Sequence, residues 1–230
     1  MSTLNGGPGN IVTNGLVLYL DAANYLSYIS GSTTWNDLSG NNNTGSLVNG
    51  PTFSSGNAGS IVFDGVDDYV GLAGVQTPSF SISAWINRAE INKFHGIMGR
   101  AGSIWGNASY AFRVINTNQL NIVLSYDGAT GLVETQTVAT LLANTWYHVT
   151  ATFIKPNVVL YINGTSSATN TFNYDLFNST SNSIIGGYTY GNGLDYLMKG
   201  NISNIQFYNR ALTASEVLQN YNATKGRFGL

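Results

Sequence analysis

The chain contains no cysteine, and this absence excludes disulfides, thiolate metal sites and cysteine nucleophiles. Charged residues are also scarce, at 9% of the 230 residues, where an average soluble domain has roughly 25%. With nine lysines and arginines and a net charge of -2, the chain lacks the clustered basic surface that nucleic-acid binding requires. We therefore expect no nucleic-acid partner. The polar surface must depend on uncharged groups, such as the 29 asparagines.

Long apolar runs are missing as well, and we expect no secretory leader. No segment approaches the roughly 18 consecutive apolar residues of a membrane span. The first residues, MSTLNGGPGNIV, show neither the basic nor the apolar region of a secretory signal. These absences predict a chain made in a cytoplasm, with no membrane insertion. Residues 1–10 are predicted to be a flexible arm, and residues 11–230 a single domain.

The chain does contain short alternating segments separated by glycine and asparagine. SFSISAWINR (79–88) and QLNIVLSYDG (119–128) place apolar side chains at every second position, as half-buried strands do. VVLYING (158–164) ends on an Asn-Gly pair, a strong signal for a tight hairpin turn. Such segments at short intervals predict an all-β protein, a sandwich of antiparallel sheets.

One helix is predicted near the C-terminus. In ALTASEVLQNYNATKG (211–226), Thr213 is followed three positions later by Glu216, the spacing of a capping box. Gly226 supplies a stop signal. The fold class therefore remains all-β with one short C-terminal helix.

Several segments, in this order, resemble the laminin-G-like branch of the concanavalin A-like lectin/glucanase superfamily. They are GLVLYLDAAN, WNDLSGNNNTG, IVFDGVDDYV, SFSISAWINR, NTWYHVTATF, LYING, IIGGY and GNISNIQFYNRALTASEVLQNYNATKGRF. The resemblance implies a concanavalin A-like jelly-roll sandwich over residues 11–230. The first two segments and the last are also similar to stand-alone modules of bacteriophage virion proteins.

A glycan hydrolase of this superfamily would use two carboxylates about 5–5.5 Å apart, in its retaining form. The chain has only three glutamates, Glu90, Glu134 and Glu216, and none lies in the Glu-x-Asp-x-x-Glu strand pattern of the enzymes. The two histidines are no better placed, because His148 lies in a predicted strand and His95 in a predicted loop. We expect a non-enzymatic protein.

The turn in IVFDGVDDYV carries three acids, Asp64, Asp67 and Asp68. One interpretation is a calcium site at the rim of the sandwich, with Asp67, Asp68 and Asp195 as ligands, because calcium takes six to eight oxygen ligands. The other is a turn in which Asp67 caps backbone N–H groups and Asp68 bonds to the last strand. No cofactor other than calcium is expected.

Two loops carry aromatic and amide side chains of the kind that bind sugars. They are GSIWGNASY (102–110) and GGYTYGNGLDY (186–196). The candidate glycan-binding residues are Trp105, Asn107, Tyr110, Tyr188, Tyr190, Asn192 and Asp195.

The predicted function is that of a phage virion surface protein with a lectin-like domain. It would bind other virion proteins and host cell-surface polysaccharide, and its location would be the virion. The alternative is a head decoration, cement or tail structural protein that binds no sugar. The first 70 residues hold five aspartates and no lysine or arginine, an asymmetry that favours a protein–protein contact. The low overall charge makes a homo-oligomer plausible.

Overall fold

The structure, a computed structural model, describes residues 10–101, 107–190 and 193–230. Over these residues the chain forms eighteen strands and one α-helix. The strands are β1 (Leu16–Asp21), β2 (Thr34–Trp35), β3 (Gly45–Val48), β4 (Thr52–Ser54), β5 (Ser60–Asp64), β6 (Tyr69–Leu72), β7 (Phe80–Arg88), β8 (His95–Arg100), β9 (Tyr110–Val114), β10 (Gln119–Ser125), β11 (Leu132–Thr140), β12 (Trp146–Ile154), β13 (Asn157–Ile162), β14 (Thr165–Thr171), β15 (Ser183–Ile185), β16 (Tyr188–Tyr190), β17 (Gly193–Asp195) and β18 (Lys199–Tyr208). The helix α1 (Ala214–Thr224) continues into a 3₁₀ turn, Lys225–Phe228. The predicted all-β class with one C-terminal helix is confirmed, whereas most of the predicted N-terminal arm, residues 1–9, lies outside the described residues.

Two antiparallel eight-stranded sheets form the sandwich. Sheet A has the order β14-β13-β12-β7-β18-β5-β4, with β1 also paired to β18. Sheet B has the order β11-β10-β9-β8-β15-β6-β3-β2. A third, small sheet is the hairpin β16-β17. The predicted Asn-Gly turn joins β13 to β14, and both Asn163 and Gly164 have positive φ there, as this turn type requires.

The core lies between the two sheets and follows the alternation in the sequence. In β7 the alternate residues Phe80, Ile82, Ala84 and Ile86 point inward and are fully or almost fully buried. Phe80 stacks on Phe207 of β18, with ring centroids 5.5 Å apart. Burial of a side chain of this size stabilises the fold by about 1.5–3 kcal/mol.

The outer face of sheet A is covered by the C-terminal segment. Trp85 donates from Nε1 to Thr224 Oγ1 at 2.7 Å, and its ring stacks on Phe228 at 4.0 Å. The helix starts with the predicted capping box between Thr213 and Glu216.

No helix in the described part of the chain is long and apolar enough to cross a membrane. The outer face of sheet B carries the hairpin β16-β17 instead, and there the strands leave a groove.

Candidate functional site

The hairpin β16-β17 packs closely on the outer face of sheet B because glycines lie beneath it. A Cβ atom on Gly99 would lie 2.6 Å from Cδ2 of Tyr188, so only glycine admits the tyrosine ring at that distance. Gly96, three residues earlier on the same strand, donates from its N–H to the carbonyl of Tyr196. The buried Tyr188 ring then packs with Ala101, Ala111 and Val123. The hairpin thus forms one wall of a groove whose floor is sheet B.

A polar network crosses three neighbouring strands on the floor of this groove. Arg113 of β9 donates from Nε to Oδ1 of Asn121 on β10 at 3.0 Å. Its Nη2 lies 3.4 Å from Oε2 of Glu134 on β11. Asn121 completes the triangle by donating from Nδ2 to the same carboxylate oxygen at 3.1 Å. The network fixes the arginine, whose side chain is only 9% exposed, whereas the Glu134 side chain is 50% exposed.

Aromatic rings hold the same guanidinium from the other side. The Arg113 Cζ atom lies 5.4 Å from the ring centroids of both Phe94 and Tyr196. These two rings pack on each other with centroids 4.5 Å apart. A guanidinium within about 6 Å of an aromatic face gains roughly 0.5–2 kcal/mol, and more as it is desolvated. The groove encloses a cavity of about 300 Å³, and its described lining residues are Phe94, Arg113, Ile115, Asn116, Val123, Leu132, Glu134, Tyr188 and Tyr196.

The charge and composition of the groove decide what chemistry it can support. Among the described lining residues one cation, Arg113, faces one anion, Glu134, so the groove is neutral overall. It combines donors, acceptors and aromatic rings, the elements of a small-molecule site. Glu134 is also the one carboxylate in this lining, whereas glycoside hydrolysis ordinarily uses two. The arrangement can hold a small molecule through hydrogen bonds and aromatic contacts.

Three of the predicted glycan-binding residues, Tyr188, Tyr190 and Asp195, lie on the strands of the hairpin. Tyr188 lines the groove, where it is 8% exposed. Asp195 pairs with it in register on β17 but is not among the described lining residues. The Tyr190 side chain, Trp105 and Asn192 lie outside the described residues.

Tyr110 and Asn107 have other roles. The interpretation of Tyr110 as a loop residue facing a ligand is corrected, because it begins β9 and its ring is buried in the core, 5.2 Å from Phe80. Its hydroxyl donates to the carbonyl of Val75 at 2.8 Å, and burial raises its pKa well above the ordinary value. Asn107 donates from Nδ2 to the hydroxyls of Thr180 and Ser181 at 3.0 and 2.8 Å. It therefore fastens a neighbouring loop.

The acidic turn between β5 and β6 has a geometry that differs from both predictions in detail. The carboxylates of Asp64, Asp67 and Asp68 lie within 4.8 Å of one another, and Asp195 does not belong to this cluster. Asp64, and not Asp67, caps the turn, because its Oδ1 accepts from the N–H groups of Val66 and Asp67. Asp68 accepts from the Asp64 N–H at 3.0 Å and makes no bond to the last strand. Burial, with the neighbouring charges of Asp64 and Asp67, raises the pKa of Asp68.

Both histidines are buried. His148 lies on β12, where Nε2 is 2.9 Å from the hydroxyl of Ser83, and the burial that surrounds it lowers its pKa to about 3. No residue in the described part of the chain hydrogen-bonds its Nδ1, so no described carboxylate pairs with this nitrogen as in a catalytic triad. His95 begins β8 instead of lying in the predicted loop, and burial together with the Arg88 charge lowers its pKa to about 4. His148 lies in a strand, as predicted.

The fold and this groove define a lectin-type jelly-roll sandwich, and comparison with known proteins agrees. Residues 63–218, about two thirds of the chain, match the Laminin_G_3 family, described as the concanavalin A-like lectin/glucanases superfamily. The chain belongs to this family. None of the curated protein sequences matches it significantly.

Solved structures of similar fold include domains of an arabinanase, a neurotoxin and a sialidase. Domain 4 of AbnA, an extracellular arabinanase from Geobacillus stearothermophilus, was solved in complex with arabinotriose. It is 18% identical to this chain with a TM-score of 0.70, and the match covers 90% of this chain and 98% of that one. The receptor-binding domain of botulinum neurotoxin type G is 18% identical with a TM-score of 0.66, covering 90% of this chain and 51% of that one. A sialidase from Trypanosoma rangeli is 17% identical with a TM-score of 0.67, covering 93% and 33%. The chain thus spans nearly all of the arabinanase domain but only half of the toxin domain, and at these identities the likeness shows the fold alone.

The residues at the centre of the groove, Phe94, Arg113 and Glu134, are absent from the predicted site. One signal points to them in the sequence: Arg113 stands in YAFRV, a strand of otherwise apolar residues in a chain with few charges. A lone charge there requires a partner, because burying an unpaired one is costly. The partner itself, on β11, is 21 residues away and is identified only by the strand order.

Proposed function

We propose that the protein binds carbohydrate, without catalysis, in the groove between the hairpin β16-β17 and sheet B. The observation that carries this proposal is the fixed Arg113, held by Asn121 and Glu134 on one side and by two aromatic rings on the other. A polar group held in this way needs no rearrangement when a ligand arrives, and such preorganisation lowers the cost of binding.

The polar groups of the groove, the exposed Glu134 carboxylate and the edge of the largely buried Arg113, suit sugar hydroxyls. Arginine only donates hydrogen bonds and a carboxylate only accepts them, so Arg113 and Glu134 together bind two neighbouring hydroxyls of one ring. The neutral groove favours an uncharged sugar. Arabinotriose, the ligand described for the arabinanase domain of similar fold and length, supports this ligand class.

The absence of catalysis is part of the proposal. Glu134 is the one carboxylate among the described lining residues of the groove. A general acid and a nucleophile therefore have no pair of side chains to supply them. The test is to measure the release of reducing sugar from arabinan by the parent and by Glu134→Gln. Release by the parent that is lost in the variant would contradict the absence of catalysis.

The experiment is a calorimetric titration with arabinotriose, cellotriose, maltotriose and xylotriose. We expect at least one trisaccharide to bind, and Glu134→Gln to weaken it about tenfold, because the loss of one hydrogen bond to a charged group costs roughly 1.5 kcal/mol. The matched control is Val138→Ala, a change at a 90% exposed residue on the same strand but outside the described lining. Equal affinity of the Glu134→Gln variant and the parent would exclude the groove.

We also propose that the protein is displayed on a bacteriophage particle, where it contacts other virion proteins. The observation that favours such a contact is an apolar loop after β1, in which Tyr25, Leu26 and Ile29 are 69%, 50% and 66% exposed. Apolar side chains exposed next to one another mark protein-interaction surfaces. Mass spectrometry and electron microscopy of purified particles test this role. Protrusion from the particle supports attachment to host glycan, burial between coat proteins supports a cementing role, and absence from the particle overturns both.

A further inference from the structure

A second concave site lies at one end of the sandwich, on what we call the tyrosine rim: the loops 73–79, 126–131, 155–156 and 172–182. Tyr126 and Tyr174 from two of these loops stack with ring centroids 4.1 Å apart, although they are 42% and 49% exposed. Tyr174 also meets the buried Phe172 edge-on at 5.8 Å. The stacked pair is therefore held in one orientation while almost half of its surface faces solvent.

The loop that carries Tyr174 is long and irregular but firmly fastened. Residues 172–182 form no helix or strand, and loops of this kind in compact domains are commonly functional. Gln76 donates to the carbonyl of Phe177 at 2.8 Å and accepts from the N–H of Ser179 at 3.3 Å. From the other side Asn107 holds Thr180 through both its amide oxygen and its amide nitrogen. Hydrogen bonds from the Gln76 and Asn107 side chains thus take the place of the backbone bonds of a regular strand. They fix the loop before any ligand binds.

The loops enclose a cavity of about 440 Å³ beside Tyr174. Its lining residues are Gln76, Thr77, Pro78, Phe153, Lys155, Tyr174, Asp175, Leu176 and Asn178. Lys155 Nζ and Asp175 Oδ1 are 3.0 Å apart, so the two charges of the lining compensate each other. Asn178 is exposed, and its side chain makes no hydrogen bond within the described part of the chain. Donors and acceptors therefore face solvent around the Tyr174 ring. They are the Asn178 amide, the second Asp175 oxygen and the remaining protons of the Lys155 ammonium group.

We propose that the tyrosine rim is a second carbohydrate site that takes a neutral oligosaccharide, with one sugar ring on Tyr174 and its hydroxyls on Asn178 and Asp175. A pyranose or furanose has an apolar face and a polar edge, and an exposed aromatic ring beside amide and carboxylate groups matches both. The compensated charge disfavours an anionic ligand. The site shares no described lining residue with the groove on sheet B, so neither site depends on the other.

The test uses the full chain, labelled with nitrogen-15, and records amide spectra as each of four neutral trisaccharides (arabinotriose, cellotriose, maltotriose and xylotriose) is added to millimolar concentration. We expect at least one sugar to shift the backbone signals of 174–178 and the side-chain amide of Asn178. Shifts at the groove alone, or no shifts at all, overturn the proposal. Shifts at the rim alone establish the rim and contradict the groove. A proline-rich peptide that shifts the rim when none of the four sugars does also overturns the proposal, in favour of a peptide site.

Variants separate direct contact from an indirect effect. Tyr174→Ala is expected to weaken binding at the rim about tenfold, as the loss of one favourable aromatic contact does. Asn178→Ala removes an exposed amide that has no hydrogen-bond partner among the described residues, so it tests the site without removing a contact that fastens the loop. The matched control is Tyr25→Ala, a substitution of another exposed tyrosine outside the rim. Unchanged rim affinity in both Tyr174→Ala and Asn178→Ala contradicts the proposal, while Glu134→Gln leaves the rim affinity unaltered.

Discussion

Arg227 and Asp21 form a bidentate ion pair that ties the end of the chain to its first strand. Nη1 lies 2.8 Å from Oδ1 and Nη2 lies 2.9 Å from Oδ2. The Asp21 side chain is 1% exposed, and it also accepts from the hydroxyl of Tyr19 at 2.8 Å. This pair holds the 3₁₀ turn that covers Trp85. The packing of the C-terminal segment on sheet A therefore depends on a contact between residues 206 positions apart.

We predict that Arg227→Met lowers the free energy of unfolding by about 3 kcal/mol, because it leaves the buried Asp21 carboxylate without its counter-charge. Urea denaturation at neutral pH measures the change. Lys199→Gln is the control: its ion pair with Glu90 is 3.5 Å long and solvent-exposed, and we expect a loss of about 0.5 kcal/mol or less. Equal losses in the two variants would show that the pair to Asp21 has no special role.

Acid should destabilise the protein through its two buried histidines. The folded-state pKa of His148 is about 3 and that of His95 about 4, because burial disfavours the charged ring. In the unfolded state a histidine has a pKa of about 6.5. Below that pH the unfolded state therefore binds protons that the folded state does not bind. The histidine contribution to the free energy of unfolding is therefore fully present above about pH 6.5. It falls as the pH drops towards about 4, by roughly 1.4 kcal/mol per pH unit for each histidine.

The variant His148→Gln isolates one of these contributions. We expect its stability to fall less steeply with acid than that of the parent, by about 1.4 kcal/mol per pH unit, in urea titrations between about pH 6.5 and about pH 4. Glu216 contributes equally in parent and variant: the hydrogen bonds of Arg210 lower its pKa to about 2, so its stabilisation begins to fall only below about pH 4.5 in both proteins. The raised pKa of Asp68 acts in the opposite direction in parent and variant alike. Parallel slopes for the two proteins would show that His148 titrates normally.

Gly99 is predicted to set the width of the groove. Gly99→Ala would place a Cβ 2.6 Å from the Tyr188 ring and push the hairpin β16-β17 away from sheet B. We expect faster hydrogen exchange in 188–195, a stability loss of about 1–2 kcal/mol from the overpacked contact, and weaker sugar binding in the groove. Gly71→Ala is the matched control, because its new Cβ would come no closer than 3.4 Å to another residue's ring atom. Unchanged exchange in the hairpin of Gly99→Ala would contradict the close packing.

Calcium binding at the acidic turn remains a proposal, now without Asp195 as a ligand. Three carboxylates within 4.8 Å repel one another, and a divalent cation would relieve this repulsion. We expect millimolar calcium to raise the melting temperature, EDTA to reverse the shift, and Asp67→Asn to abolish it. Asp195→Asn, outside the cluster, should respond like the parent. An unchanged melting temperature in calcium rejects the site and leaves the three acids as a turn.

The sequence predicts the fold more fully than the site because the two depend on different ranges of contact. The alternation of Phe80, Ile82, Ala84 and Ile86 is a local pattern, and each of these residues is buried as predicted. The capping box at Thr213 is equally local, with both partners within four positions. The groove instead joins Phe94, Arg113 and Glu134, which only the strand order of sheet B brings together.

Errors in the site prediction have the same origin. Tyr110 follows a glycine-rich stretch and was predicted to lie on a loop, but the pairing of β9 with β8 turns its ring into the core. Asn107 has the side chain of a ligand-binding residue, yet its hydrogen bonds hold residues more than 70 positions away. Side-chain type alone does not distinguish a residue that binds a ligand from one that fastens a loop.

The sequence alone determines that this is an all-β sandwich with a short C-terminal helix, because periodicity, turn residues and caps act between neighbours in the chain. It also restricts the chemistry, through the absence of cysteine and the scarcity of glutamate. Only the tertiary structure decides where ligands have room to bind. The position of a hairpin over Gly99 and the stacking of Tyr126 on Tyr174 follow from sheet order and loop closure, which no local pattern specifies.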